Sequence, residues 1–542
     1  MRNPRSKRLV SIQLISIAAS FACGCDRGSA KGGSDASAAA PDLAPLALSD
    51  FPAQPILDDT GAGVPPDAAS LFAHASTNAQ SGGPCLVEPE LGSLLPKNWL
   101  RPRIRFIPPP GQNLFEIRIH AAAESNDLVV YTTQKSWILP GDIWKALTTR
   151  AVGEEFTVDV RGAVFDGKAL TLAPASGTTG SFTIAPAEAA GSIVYWTTSK
   201  GSGLKGFALG DENVRDVLTP AQAGTACVGC HGSTPDGAYV AVSASSAPAN
   251  GDPTVIQLRS VDGNVAEPPF LTAAAKKLLS RIGQEAPAFS KSHWKDGDYV
   301  ALTMLPVANG RFEIGWTDLQ TTSMTQGQGW GIVKRAGDSN NPAGVVFRHD
   351  GTGLVYTSAP DVTSGVSTST GDLYTVPWND RAGGAARPIQ GASDPGFNEF
   401  YPTLSSDDRW LAFSRGPLGQ YSYDSAPSEV FVIPVAGAPK PLRLIANDPP
   451  ACTGKMSPGV TNSWPKWAPE AQTIGSKTYY WVTFSSRRTE KGNPQLYVAG
   501  VIVDAVGESQ TVTTTPALHL WNQPADENNH TPAWDSFQLP VQ

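Results

Sequence analysis

The sequence predicts an all-β protein: an N-terminal immunoglobulin- or fibronectin-like β-sandwich, then a six-bladed β-propeller closed by its own C-terminal strand. Three observations predict it. Gly (53) and Pro (46) are frequent in the 542 residues, while charged residues are only 17%. That composition suits short strands and many turns better than long helices. Alternating or β-branched runs such as 115–119, 128–133, 156–160 and 181–184 are bounded by turn residues, the pattern of strands. From about residue 191 onward a unit recurs at intervals of about 55 to 67 residues, a spacing suited to propeller blades with variable loops.

Taken in order, the chain begins with a basic segment (Arg2, Arg5, Lys7, Arg8) and a mostly apolar stretch, 9–22. That stretch is too short to span a membrane as a mature helix and reads as an export signal over residues 1–25. It ends in Ala22-Cys23-Gly24-Cys25. Small residues before a cysteine resemble a bacterial lipoprotein processing site, which makes Cys25 or Cys23 the candidate lipidated residue. Residues 26–84 are Ala-, Gly-, Ser-, Pro- and Asp-rich, a composition that predicts a flexible linker. Residues 85–190 carry roughly seven short strands, the sandwich, with one short helix expected over 141–147. His120 stands alone on a strand there, a structural position rather than a ligand.

The repeat over 191–542 runs from a proline, through an aromatic or aliphatic residue and an Asp-Gly-type turn, into an apolar strand. Pro287 leads to Asp296-Gly297 and Tyr299-Val300-Ala301-Leu302. Pro342 leads to Asp350-Gly351 and Leu354-Val355-Tyr356. Pro402 leads to Asp407-Asp408 and Trp410-Leu411-Ala412-Phe413, and Pro465 to Tyr480-Trp481-Val482. His530-Thr531-Pro532-Ala533-Trp534 copies the start of a unit, but the sequence ends at Gln542. Ile193-Val194-Tyr195-Trp196 looks like the later part of a unit lacking its first strand. Pairing the two gives six blades and removes the exposed sheet edges.

One pentapeptide carries chemistry. Cys227-Val228-Gly229-Cys230-His231 is the attachment pattern of a c-type haem: two thiols for the vinyl groups, one imidazole for the iron. It sits in the slot the repeat assigns to the head of a blade. No second Cys/His cluster in sequence completes a four-ligand zinc site. His530, at the head of a neighbouring blade, is the candidate distal ligand, with Met456 as the alternative; the choice matters because methionine raises a haem potential relative to bis-histidine ligation. Glu285, Asn341, Glu399, Tyr401, Asn462 and Trp464 are expected at the same mouth, His293 and His349 at the opposite end. Cys85 and Cys452 remain, a candidate disulfide between sandwich and propeller in an oxidising compartment.

The Pro-x-Phe/Trp…Asp-Gly…Val-Ala-Val units resemble those of the TolB-like, WD-like six-bladed propellers over residues 191–542. The pentapeptide inside a blade resembles a subset of such propellers that carry a c-type haem. The resemblance implies fold more than function. With one covalent haem c, the expected function is an exported, membrane-anchored monohaem cytochrome acting in electron transfer. The alternatives are a haem enzyme acting on a small oxidant or substrate at the propeller mouth, and a propeller binding module for protein or glycan. The expected location is the periplasm or cell envelope, with a redox or protein partner and with membrane contact through the lipid anchor only. A net charge of −8 argues against nucleic acid. No Gly-x-Ser-x-Gly elbow, His-Glu-x-x-His motif or phosphate-binding glycine loop occurs.

Overall fold

A computed structural model describes residues 51–539, except 62, 75–81, 200, 247–254, 281–284, 363–366, 438–439 and 508. The expected export signal, Cys23 and Cys25 lie outside the described residues.

The N-terminal body has two sheets. Strands Leu114–Ala121, Leu128–Thr132, Glu155–Ala163 and Gly180–Ile184 form the centre of a seven-stranded sheet. Cys85–Glu88, Arg103–Ile107 and Ser136–Ile138 form a three-stranded one. Alternation puts Phe115, Ile117 and Ile119 in the core, where Phe115 meets Phe106 of the other sheet edge-on at 4.8 Å. The expected helix spans Gly141–Arg150 and buries Ile143, Trp144 and Leu147.

The expectation of a tether as far as residue 84 is corrected from Phe51 onward. Phe51 and Phe72 are buried. Ile56–Leu57 pairs in parallel with Val130 and Tyr131, and Thr132 Oγ1 donates to Asp58 Oδ2 at 2.6 Å. The average composition of the segment conceals two large aromatic residues that are enough to dock it.

Among the described residues, six further sheets of three or more strands follow, with a two-stranded parallel pair, Lys334–Ala336 with Gly383–Ala385, besides. The first joins the C-terminal strand Asn529–Asp535 to Ser192–Thr197, Gly203–Ala208 and Arg215–Leu218, with Ile193 opposite Trp534. The second holds Cys227–Ser233, Tyr239–Ser245 and Val255–Ser260. The third is centred on Asp298–Pro306 and Phe312–Asp318, the fourth on Asn341–Phe347, Gly353–Ala359 and Asp372–Pro377. The fifth contains Phe397–Leu404, Trp410–Pro417 and Glu429–Pro434. The sixth contains Ser463–Trp467, Lys477–Ser486 and Gln495–Val506.

Second strands such as Gly353–Ala359 are buried at every position, which requires a cover on both faces of the sheet. Each sheet finds that cover in the next. Val194 packs with Val228 and Val242, Leu258 with Ala301, and Leu302 with Tyr356. Val355 shares a cluster with Phe413, Ala412 with Val482, and Trp481 with Tyr195. At roughly 1.5–3 kcal/mol per buried large apolar side chain, these interfaces outweigh any single surface ion pair, worth about 0–1 kcal/mol. The fold is all-β and propeller-like.

The N-terminal body shares its core with the first and sixth sheets. Trp481 Nε1 donates to Glu188 O at 3.2 Å and Trp521 Nε1 to Arg101 O at 3.0 Å. Cys85 and Cys452 are disulfide-bonded with Cα atoms 5.9 Å apart, across 367 residues of sequence. The closed loop is long, so its constraint on the unfolded chain is large. We expect Cys85→Ala/Cys452→Ala to lose roughly 3–5 kcal/mol. The midpoint of urea unfolding, followed by tryptophan fluorescence, checks this; an unchanged midpoint contradicts it.

Candidate functional site

The innermost strands of these sheets share one irregularity. In Phe397–Leu404 the register shifts between Phe400 and Thr403, so Tyr401 and Pro402 form a bulge. The same shift falls at Trp464-Pro465, between Ser463 and Lys466, and at Gly344-Val345, between Ala343 and Val346. In the first sheet it falls opposite the interval from Val194 to Trp196, where Thr531-Pro532 lies. Pro342, aligned with Pro402 in the sequence repeat, is thus not its structural counterpart; Val345, three residues on, is. The third sheet has only a bridge between Ala288 and Leu302 at this place, where an inner strand was expected.

The pentapeptide occupies this bulge in the second sheet. The register shifts between Val228 and His231, leaving Gly229 and Cys230 as the bulged pair. Cys230 thereby takes the proline position and His231 the position of Lys466. Without a bulge, residues three apart face opposite sides of a strand. The extra residue returns Cys227 and Cys230 to one side.

The bulges surround a cavity of about 590 Å³, within the range of about 300–1,000 Å³ typical of small-molecule and cofactor sites. Cys230, His231, Glu285, Tyr401, Trp464, Lys466, Thr531 and Trp196 line it. Tyr401 and Trp464 hold φ of 53° and 54°, left-handed values that Gly344 also adopts at 57°. For non-glycine residues such values cost about 1–3 kcal/mol each, so the two rings are held in the wall at a cost that glycine would avoid. They stack at 5.5 Å with planes 21° apart.

Both thiols are free. Ser202 Oγ donates to Cys227 Sγ at 3.3 Å. Burial pushes the Cys230 thiol up to about 12. His231 Nε2 lies 3.0 Å from Val194 O and Nδ1 3.3 Å from Gly229 O. Burial lowers this imidazole to about 4, so at neutral pH it carries one proton and can donate to only one of the two carbonyls. His530 is buried and also lowered to about 4, chiefly by burial and in part by His231. Its ring stands 4.8 Å from that of Trp196 and 5.4 Å from that of Trp464, and its Nδ1 is buried with no hydrogen-bond partner among the described residues. Two free thiols, the imidazole of His231 and a second imidazole with an orphaned nitrogen are the groups a c-type haem would use; Cys230 and His231 line the cavity, Cys227 and His530 do not. For iron ligation by Nε2, the His231 ring must give up Val194 O.

Met456 is 75% exposed and is not among the cavity-lining residues. Of the residues expected at the mouth, Glu285, Tyr401 and Trp464 line the cavity, while Asn341, Glu399 and Asn462 do not. Asn341 accepts from Phe312 N and donates to Val362 O. Glu399 is bound by Arg415, and Asn462 donates to Asn447 O. These three brace turns. His349, expected at the opposite end, does line the cavity, with Nδ1 2.9 Å from Asp408 Oδ1; His293 lies 2.8 Å from Asp298 Oδ2. Sequence reading missed Trp196, Lys466 and Thr531. The proline register could have found the last two, because each adjoins the repeated proline.

Solved structures similar to this chain include a TolB from Agrobacterium tumefaciens, at 14% identity and TM-score 0.33, covering 63% of this chain and 97% of that one. Kuenenia stuttgartiensis hydrazine synthase is similar at 13% identity and TM-score 0.30, covering 52% and 70%. The β-propeller domain of the Trilobed protease from Pyrococcus furiosus follows at 10% and 0.28, covering 69% and 94%. At these scores the likenesses carry no functional argument. No family of known proteins matches the chain, and no curated protein does. Among the described residues, no helix is long and apolar enough to cross a membrane.

Glu285 gives the site a testable pH dependence. Its Oε1 accepts from Gly344 N at 2.7 Å, yet burial pushes the carboxyl up to about 8. An unfolded chain releases this proton near the ordinary glutamate value of about 4.3. The folded state binds more protons between those two values, so this contribution to stability is present at low pH and lost as pH rises to about 8. We expect the urea midpoint to fall between about pH 5 and 8 and Glu285→Gln to flatten that fall; an identical slope in the variant contradicts it.

Proposed function

We propose that the chain is an exported monohaem c-type cytochrome on a six-bladed propeller scaffold, exchanging electrons with a protein partner. The observation that carries this reading is the placement of Cys230 and His231, with free thiols at both cysteines, on the wall of an aromatic-lined cavity. Cys227 and Cys230 would hold the haem, His231 the proximal side and His530 the distal side. Haem iron supplies reversible one-electron chemistry. The protein's part is to hold the two imidazoles neutral, which burial of both rings favours. His530 is preferred to Met456 because its Nδ1 is buried and unpartnered.

Six sheets with cyclic apolar contacts, and a first sheet completed by the C-terminal strand, support the six-bladed reading. The two-sheet N-terminal body, joined to it by Cys85–Cys452, supports the sandwich as a rigid flank. The basic and apolar N-terminus supports export, with a lipid anchor at Cys25 or Cys23. Lys466 and Glu285 on the cavity wall favour a second reading, a haem enzyme that acts on a small polar molecule.

A pyridine haemochrome spectrum of protein exported from a host with c-type haem maturation tests the first reading. We expect a covalent c-type spectrum that Cys227→Ala/Cys230→Ala abolishes. Absence of covalent haem in the wild type overturns it, leaving a propeller binding module. A five-coordinate, high-spin iron favours the enzyme reading.

A further inference from the structure

Three donor-bearing side chains on the cavity wall have no hydrogen-bond partner for those donors among the described residues. Lys466, on the inner strand of the sixth sheet, has no ion pair or hydrogen bond from its ammonium group among the described residues, and it lines the cavity. Trp196 Nε1 and Thr531 Oγ1 belong to residues lining the same cavity, and both atoms are buried without partners among the described residues. An unsatisfied buried donor costs about 1–3 kcal/mol, and a charged one more. These two buried donors and the half-buried Lys466 side chain, contributed by two adjacent sheets around one space, form a set that an acceptor with negative charge would complete. Glu285 does not fill this role. Its Oε1 is committed to Gly344 N, and although the two side chains attract each other across the cavity, no ion pair joins Glu285 to Lys466 among the described residues. Beside the donors, Tyr401 and Trp464 present their stacked rings, a flat wall against which a planar molecule can lie.

We propose that Lys466, with Thr531 and Trp196, binds a carboxylate of a planar ligand in the central cavity. The carboxylate belongs to the attached haem, as a propionate, or to a free small molecule. The inference goes beyond haem attachment and stands without it, since none of the three residues belongs to the pentapeptide.

The test uses the exported protein with and without Lys466→Met, and Lys466→Arg to retain the charge. Thermal unfolding and circular dichroism establish that the variants fold. In haem-loaded protein, resonance Raman reports the propionate bending modes. In the same protein, and in Cys227→Ala/Cys230→Ala, titration with benzoate is followed by tryptophan fluorescence, with the neutral isostere benzamide as control. If the carboxylate is a propionate, Lys466→Met shifts the propionate mode and Lys466→Arg restores it largely. If it is free, benzoate binds, benzamide does not, and Lys466→Met weakens benzoate at least about tenfold, as loss of a charged hydrogen bond implies. Unchanged propionate modes together with unchanged or absent benzoate binding overturn the proposal. If the wild type carries no haem, the cytochrome reading fails by itself and the benzoate titration alone decides this one.

Discussion

The pairing of Asn529–Asp535 with Ser192–Thr197 is the interaction on which the rest depends. It joins segments more than 300 residues apart into one sheet, and Trp534 seals it by donating Nε1 to Ala190 O at 2.8 Å. Without it the first sheet loses its innermost strand and the sixth sheet loses its cover. It also places His530 between Trp196 and Trp464.

The second constraint is the bulge shared by the inner strands. A regular strand shows alternate residues to each face, whereas a bulge re-aims side chains where the ladder is interrupted. In this chain the same device serves several ends. It presents Cys230 in the second sheet, a glycine turn in the fourth, and the Tyr401–Trp464 wall in the fifth and sixth. Burial moves several titratable groups of the cavity wall toward neutrality. His231 and Lys466 are lowered, while Glu285 and Cys230 are raised. A neutral imidazole is the form that ligates a metal, so the same burial that costs stability suits the proposed site.

Much of this was legible in the sequence because it is periodic. The Asp-Gly turns and apolar second strands located Asp298–Pro306, Gly353–Ala359, Trp410–Pro417 and Lys477–Ser486, and the stray half-units at 193–196 and 530–534 located the joining pair. What was not legible depends on register and context. Pro342 mimics the repeated proline, but the bulge falls at Gly344-Val345 with Val345 in the proline position, since a three-residue offset is invisible without the partner strand. Phe51 and Phe72 vanish into a tether-like average composition. Lys466 reads as an ordinary strand residue until the structure places it on the wall of the cavity that Thr531 and Trp196 also line.

The central claim is that Cys227 and Cys230 carry a haem, and the most direct measurement is peptide mass spectrometry of the exported protein after alkylation and trypsin digestion. The account predicts that the peptide beginning at Asp216 and containing residues 227–231 carries one haem on its two cysteines and neither thiol is alkylated. Two alkylated cysteines in that peptide, or a disulfide between them, would contradict it.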